Sequence, residues 1–209
     1  MNIMKNPASD GLKLFFYFFI FAGVTLSPYI TASLTGVGIA YFLVIILGLT
    51  EGIYVYHSFY YKKEPLATTL NNLKKTAPLF LIVALANIIN AYASHYQHLH
   101  SLSAEDIPKL IYVLLIVPFC EEVFYRGCLF DSLCLLCSSI SGSQSNIFPS
   151  FLTSLVFCVM HTQYKSMSIY VYLFLFSIIL IIARVLTKGL KTPMLLHSFM
   201  NLLFFLTFT

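Results

Sequence analysis

The sequence predicts an all-α fold, a polytopic transmembrane helix bundle of about seven spans forming a single membrane domain. Three observations carry this. The 209 residues are 59% apolar and only 10% charged, whereas soluble domains carry roughly 25% charged residues. Twelve Lys+Arg and eight Asp+Glu are too few to wet a soluble globule, and a mean hydropathy of +0.85 excludes disorder, which needs low hydrophobicity and high net charge. Finally, apolar blocks recur at about the 20 residues that a membrane crossing uses.

Polar or Pro/Gly punctuation divides these blocks. The first span covers Leu12 to Ile30, behind Lys5 and Lys13; no small-residue cleavage site follows it, so it reads as a span and not as a signal peptide. The second runs from Val37 to Tyr60, and a polar stretch from Lys62 to Lys75 follows. The third runs from Ala77 to His95. A loop with His98, His100, Glu105 and Asp106 leads to the fourth, Pro108 to Cys137, which is longer than one crossing needs. After a Ser/Gly loop from Ser138 to Asn146 come the fifth span, Phe148 to His161, the sixth, Ser168 to Leu186, and the seventh, Pro193 to Phe208. Residues 1–107 thus hold three spans, and residues 108–209 form a second, functionally richer part.

Lys and Arg placement sets the expected orientation. With the N-terminus in the cytoplasm, Lys5, Lys13, Lys62, Lys63, Lys74, Lys75, Arg184, Lys188 and Lys191 fall on that side, and only Lys109 and Lys165 fall outside. Nothing resembles a basic stripe for nucleic acid, so none is expected as a partner. The partners expected are the lipid bilayer and a peptide or membrane-protein substrate. Cys134 and Cys137 form a C-x-x-C pair, but no second ligand pair accompanies them, and helix packing explains them.

Ionisable residues inside hydrocarbon cost at least about 2.5 kcal/mol each on insertion scales and need a reason. Glu121, Glu122 and Arg126 lie in the fourth span, His161 at the end of the fifth and His197 in the seventh. Glu122 and Arg126 are four residues apart and share a helix face, so they can pair. Glu121 is rotated by about 100° on a helix of 3.6 residues per turn. It is left to face a cavity, where a partly desolvated carboxylate suits general-base work. The same three residues also fit a structural charge cluster holding the helix to its neighbours. His161 alone suits an interfacial position. His197 and Asn201 share a face and could simply bond a neighbouring helix. Ser154 and Ser198 lack a base partner at a triad-like spacing. Glu51 reads as structural, paired with His57 or Arg184 or reaching the interface. The loop histidines His95, His98 and His100 suit interfacial polarity or a metal ion.

Taken in order on successive helices, Glu121-Glu122-x-x-x-Arg126, Phe157-x-x-x-His161 and His197-x-x-x-Asn201 resemble the three motifs of the CPBP family. That family comprises CAAX-processing and bacteriocin-processing intramembrane endopeptidases, grouped with abortive-infection proteins. The run Glu121 to Gly127 is similar to the family's Glu-Glu-x-x-Phe-Arg-Gly, with Tyr125 at the usual Phe. The resemblance covers about Pro108 to Phe208, which makes 108–209 the expected catalytic core. It implies that Glu121 and His161 activate a water and that His197 and Asn201 stabilise the oxyanion, with Glu122, Arg126 and Phe157 in support. No cofactor is implied by this scheme. A zinc-assisted route through His161, His197 and a carboxylate is the alternative; the absence of His-Glu-x-x-His and the presence of Asn201 favour the metal-free one.

The implied activity is hydrolysis of a peptide bond in a membrane-associated peptide or protein, in bacteriocin or peptide maturation or in self-immunity. A short chain with minimal loops points to a bacterial plasma membrane. The rival readings are a non-catalytic peptide-binding immunity or scaffold protein, and a transporter with Glu121 and Glu122 as its proton site. The transporter reading suffers from the lack of an internal repeat.

Overall fold

The computed structural model describes residues 7–26, 37–61, 66–93, 103–141, 146–161, 164 and 166–208. Among these residues every regular element is helical. α1 (Pro7–Leu26), α2 (Val37–Phe59) and α3 (Leu66–Ala93) come first. A short 3₁₀ turn, Ala104–Asp106, is capped where Ser103 N and Oγ donate to Asp106 Oδ2 at 3.0 and 2.8 Å. Five segments then follow without a break: Ile107–Ile111, Tyr112–Ile116, Val117–Glu121, Glu122–Phe130 and Asp131–Ser141. Their junction residues all stay right-handed helical, so they form one rod, α4 (107–141). The chain continues in α5 (Ile147–Val159), α6 (Met167–Thr187) and α7 (Lys191–Phe208).

These seven helices follow the expected seven spans in order. Four are long and apolar enough by themselves to cross a membrane, over Ala8–Leu26, Gly38–Phe59, Thr69–Ile89 and Met167–Thr187, while the apolar Ile147–Val159 is shorter. The outer face is greasy, with Phe16, Phe42, Leu81, Ile88 and Leu115 exposed. Water does not tolerate so much contiguous apolar surface on a monomer, but a bilayer does. The protein is a multi-pass membrane protein.

α4 is the axis of the bundle. It packs on α1, α2, α5 and α7, and α3 and α6 close the far side against α7. One core gathers Phe18 and Phe21 of α1 and Val55 of α2 with Val123 to Leu129 of α4 and Phe157 of α5. Phe21 stacks on Phe124 with ring centroids 3.9 Å apart. A second core joins Val83 of α3 with Phe176, Leu180 and Ala183 of α6 and Leu196 of α7. The His95, His98 and His100 loop lies outside the described residues, as do Lys5, Lys62, Lys63 and Lys165.

Two expectations change. The polar stretch from Asn71 to Lys75, placed before the third span by its polarity, is part of α3. Asn72 and Thr76 are buried, with Asn72 Nδ2 donating to the Thr187 carbonyl at 3.4 Å, while Lys74 and Lys75 face out. Arg184 pairs with Asp131 and not with Glu51. Its Nη2 meets Asp131 Oδ2 at 2.5 Å, and Tyr60 Oη lies 3.0 Å from the same oxygen. His57 stacks on Tyr61, and Glu51 Oε1 makes no hydrogen bond.

Gly127 lets Tyr60 close on α4. The Tyr60 hydroxyl donates to the Gly127 carbonyl at 2.7 Å, and a Cβ at 127 would meet Tyr60 Cε2 at 3.2 Å and Leu190 Cδ1 at 3.3 Å. Overpacking a filled core costs about 1–3 kcal/mol. Gly127→Val is therefore expected to lower the thermal midpoint of the detergent-solubilised protein by several degrees, and an unchanged midpoint would contradict this packing.

Candidate active site

Glu121 and Glu122 straddle the junction where α4 widens into its second π-helical stretch. π turns are rare and cluster at functional sites. Glu122 is fully buried and pairs with the fully buried Arg126, Nη1 to Oε1 at 3.0 Å. Arg126 Nη2 also donates to Ser177 Oγ at 2.9 Å, and its guanidinium lies over the Phe157 ring at 4.7 Å. The charge is thus held by an anion, a hydroxyl and an aromatic face, as a cation away from water requires.

His197 reaches the same carboxylate from α7. Its Nδ1 donates to Glu122 Oε1 at 2.7 Å, and the ring is only 3% exposed. That bond turns Nε2 toward Glu121, whose Oε2 is 3.8 Å away. His161, expected at the end of the fifth span, lies two residues past the end of α5, which stops at Val159. It is tied back by its own Nδ1, which donates to the Phe157 carbonyl at 2.6 Å. Its Nε2 faces Glu121 Oε1 at 3.9 Å. The Phe157 ring packs on both histidines, with centroids 4.4 Å from His161 and 6.4 Å from His197.

Each oxygen of Glu121 therefore faces one imidazole Nε2, at distances beyond a direct hydrogen bond. Glu121 and His161 keep side-chain exposures of 19% and 14%, against none for Glu122 and Arg126. The first pair is thus partly exposed and the second is not. Oε2 of Glu121 is buried and makes no hydrogen bond. Asn201 sits one turn along α7 from His197, and its Nδ2 donates to the Val113 carbonyl of α4 at 2.7 Å. Six of the residues singled out by sequence thus converge, and Asn201 is held at the edge of the group by α4 backbone. Among the described residues no three His, Cys, Asp or Glu side chains are arranged to hold a metal ion. Cys134 and Cys137 form no disulfide.

Ser177 escaped the sequence reading, since one serine in an apolar helix carries no distinguishing signal. Asp131 also escaped it, although an acid between Phe130 and Ser132 was a visible signal. With Arg184 it forms a second charged pair in the C-terminal half, so the site is not the only ionic cluster there.

The fold and this acid–histidine cluster define the class: a helical membrane protein with a charged, largely buried polar centre inside its bundle. Residues 103–203 match the family model described as Type II CAAX prenyl endopeptidase Rce1-like. This segment, just under half of the chain and holding all three motifs, is similar to that family of CAAX-type intramembrane proteases. The first three helices lie outside the match. No curated protein and no solved structure gives a match to the chain.

Proposed function

We propose that the protein is an intramembrane endopeptidase that cleaves a peptide bond in a membrane-associated peptide or protein by direct attack of water. The observation that supports this most is the pairing of the two Glu121 oxygens with two histidine Nε2 atoms, at 3.9 and 3.8 Å. Glu121, helped by His161, takes a proton from the water as its oxygen attacks the carbonyl carbon. The His197 ring and the Asn201 amide stabilise the resulting oxyanion. The proton passes to the leaving nitrogen as the C–N bond breaks, giving a carboxylate and an amine. Glu122 fixes the ring of His197 through Nδ1, and Arg126 and Phe157 hold Glu122 and both rings in place. Each support is a packed or hydrogen-bonded contact on a helix, as a preorganised site requires.

The metal-free route draws support from the donor set. Asn201, one turn from His197, is a poor zinc ligand but a good oxyanion donor. The N-terminus is assigned to the cytoplasm on Lys/Arg placement, and the substrate reaches the site from that side or laterally. Candidate substrates are a secreted peptide precursor, such as a bacteriocin or signalling peptide, and a small membrane protein.

The test uses purified protein in lipid nanodiscs with two probes, an unmodified hydrophobic peptide precursor and a farnesylated C-terminal peptide, read by mass spectrometry. Wild type is expected to release a product from at least one probe, at a rate that a strong chelator leaves unchanged. Loss of activity with chelator and recovery with zinc would overturn the metal-free route. Tight binding of a probe without any product would favour a peptide-binding immunity role.

A further inference from the structure

Pro118 lies between the first π-helical stretch of α4 and the glutamates. It has no N–H, so at that position nothing on α4 reaches back to the carbonyls four and five residues earlier, those of Leu114 and Val113. The wider register makes both relevant, because the neighbouring Val117 N–H already bonds five residues back to Tyr112. α7 engages both carbonyls. Ser198 Oγ donates to the Leu114 carbonyl at 2.6 Å and lies 2.9 Å from the Met194 carbonyl of its own helix. Asn201 Nδ2 takes the Val113 carbonyl at 2.7 Å. A helical serine commonly bonds the carbonyl one turn back; here the shorter contact is the one between helices.

His197 is the residue next to Ser198, and Glu121 and Glu122 come three and four residues after Pro118. The two helices are thus laced twice, at carbonyls 113 and 114 on one side of Pro118 and at Glu122 on the other. Sliding α7 by a single residue, about 1.5 Å along its axis, would break every one of these bonds.

We propose that Ser198 is a positioning residue: seated on the carbonyl that Pro118 sets free, its hydroxyl fixes the register of α7 on α4 and so the placement of His197 between Glu121 and Glu122. Its consequence for catalysis rests on the peptidase reading above, and its consequence for His197 does not. Pro118 is the partner in the device, because a residue with an N–H there supplies α4 with a donor that competes for the same carbonyls.

The experiment compares Ser198→Ala, Ser198→Thr and Pro118→Ala in the full chain, by peptide cleavage and by ¹⁵N NMR of the His197 ring, assigned with His197→Gln. Ser198→Ala is expected to lower kcat about tenfold with little change in KM, as a small misplacement of a reacting group does. Ser198→Thr, which keeps the hydroxyl, is expected to restore most of it. Pro118→Ala is expected to lower kcat as well, and adding Ser198→Ala to it to cost little more, because both act on one contact. In the NMR arm, wild type and Ser198→Thr are expected to show the hydrogen-bonded Nδ1–H signal, weakened in Ser198→Ala. Wild-type kcat in Ser198→Ala, an equal loss in Ser198→Thr, or an unchanged His197 signal in Ser198→Ala would each overturn the proposal. Should wild type cleave no peptide at all, the function reading falls, and the NMR arm alone decides the role of Ser198.

Discussion

Glu121→Gln is expected to reduce peptide cleavage by about 10²- to 10⁴-fold, the range set by removing a positioned general base, while the protein keeps its thermal midpoint. The substitution is isosteric and removes a charge that lies beside Glu122 and beyond hydrogen-bond reach of both histidines. Stability should therefore hold while chemistry fails. His161→Ala should lose activity to a similar degree, because it faces the other oxygen of the same carboxylate. The readout is product formed per minute by purified protein in nanodiscs, alongside a thermal unfolding curve. Retained cleavage by Glu121→Gln would remove the base from the mechanism, and a collapsed unfolding curve would show a structural role instead.

Arg126→Leu is expected to be the most destabilising single change in the site. Arg126 is fully buried and is the cation paired with Glu122, which is itself fully buried. Removing one partner of a buried pair costs about 3–5 kcal/mol, because the other charge is left uncompensated. His197 would remain on Glu122 through the 2.7 Å contact, but a single imidazole would then carry the whole load. The double variant Glu122→Gln with Arg126→Leu should recover much of the lost stability, since it buries no lone charge. Equal midpoints for Arg126→Leu and wild type would show that the pair contributes nothing to the fold.

The two predictions separate roles that the sequence already hinted at. A spacing of four on a helix pairs Glu122 with Arg126, and the odd position of Glu121 sends it elsewhere. Apolar blocks likewise located all seven helices, because burial in lipid demands long apolar runs whatever the tertiary packing. Boundaries slipped where polar residues belong to helices. Asn71 to Lys75 fell outside the expected third span because a one-dimensional pattern cannot tell that Asn72 and Thr76 turn inward while Lys74 and Lys75 turn out. The end of α5 was missed because the motif spacing from Phe157 to His161 suggests a continuing turn, whereas His161 is reached through a hydrogen bond to the Phe157 carbonyl. The π-helical stretches of α4 have no side-chain periodicity to betray them; Pro118 was the single local clue. Ser177 and the Asp131–Arg184 pair depend on contacts more than fifty residues apart, which no local pattern encodes.

The convergence of Glu121 and His161, carried by separate helical elements, on one water-accessible centre is the claim on which the rest depends. Cysteines placed at both positions, in a background with the five native cysteines replaced by alanine or serine, test it directly in membranes. A short bifunctional thiol reagent is expected to join the Glu121→Cys and His161→Cys pair within one chain, and a charged, water-soluble thiol reagent is expected to label each single variant. No internal cross-link, with both positions labelled separately, would contradict the convergence; no labelling of the Glu121→Cys variant would contradict the access of water.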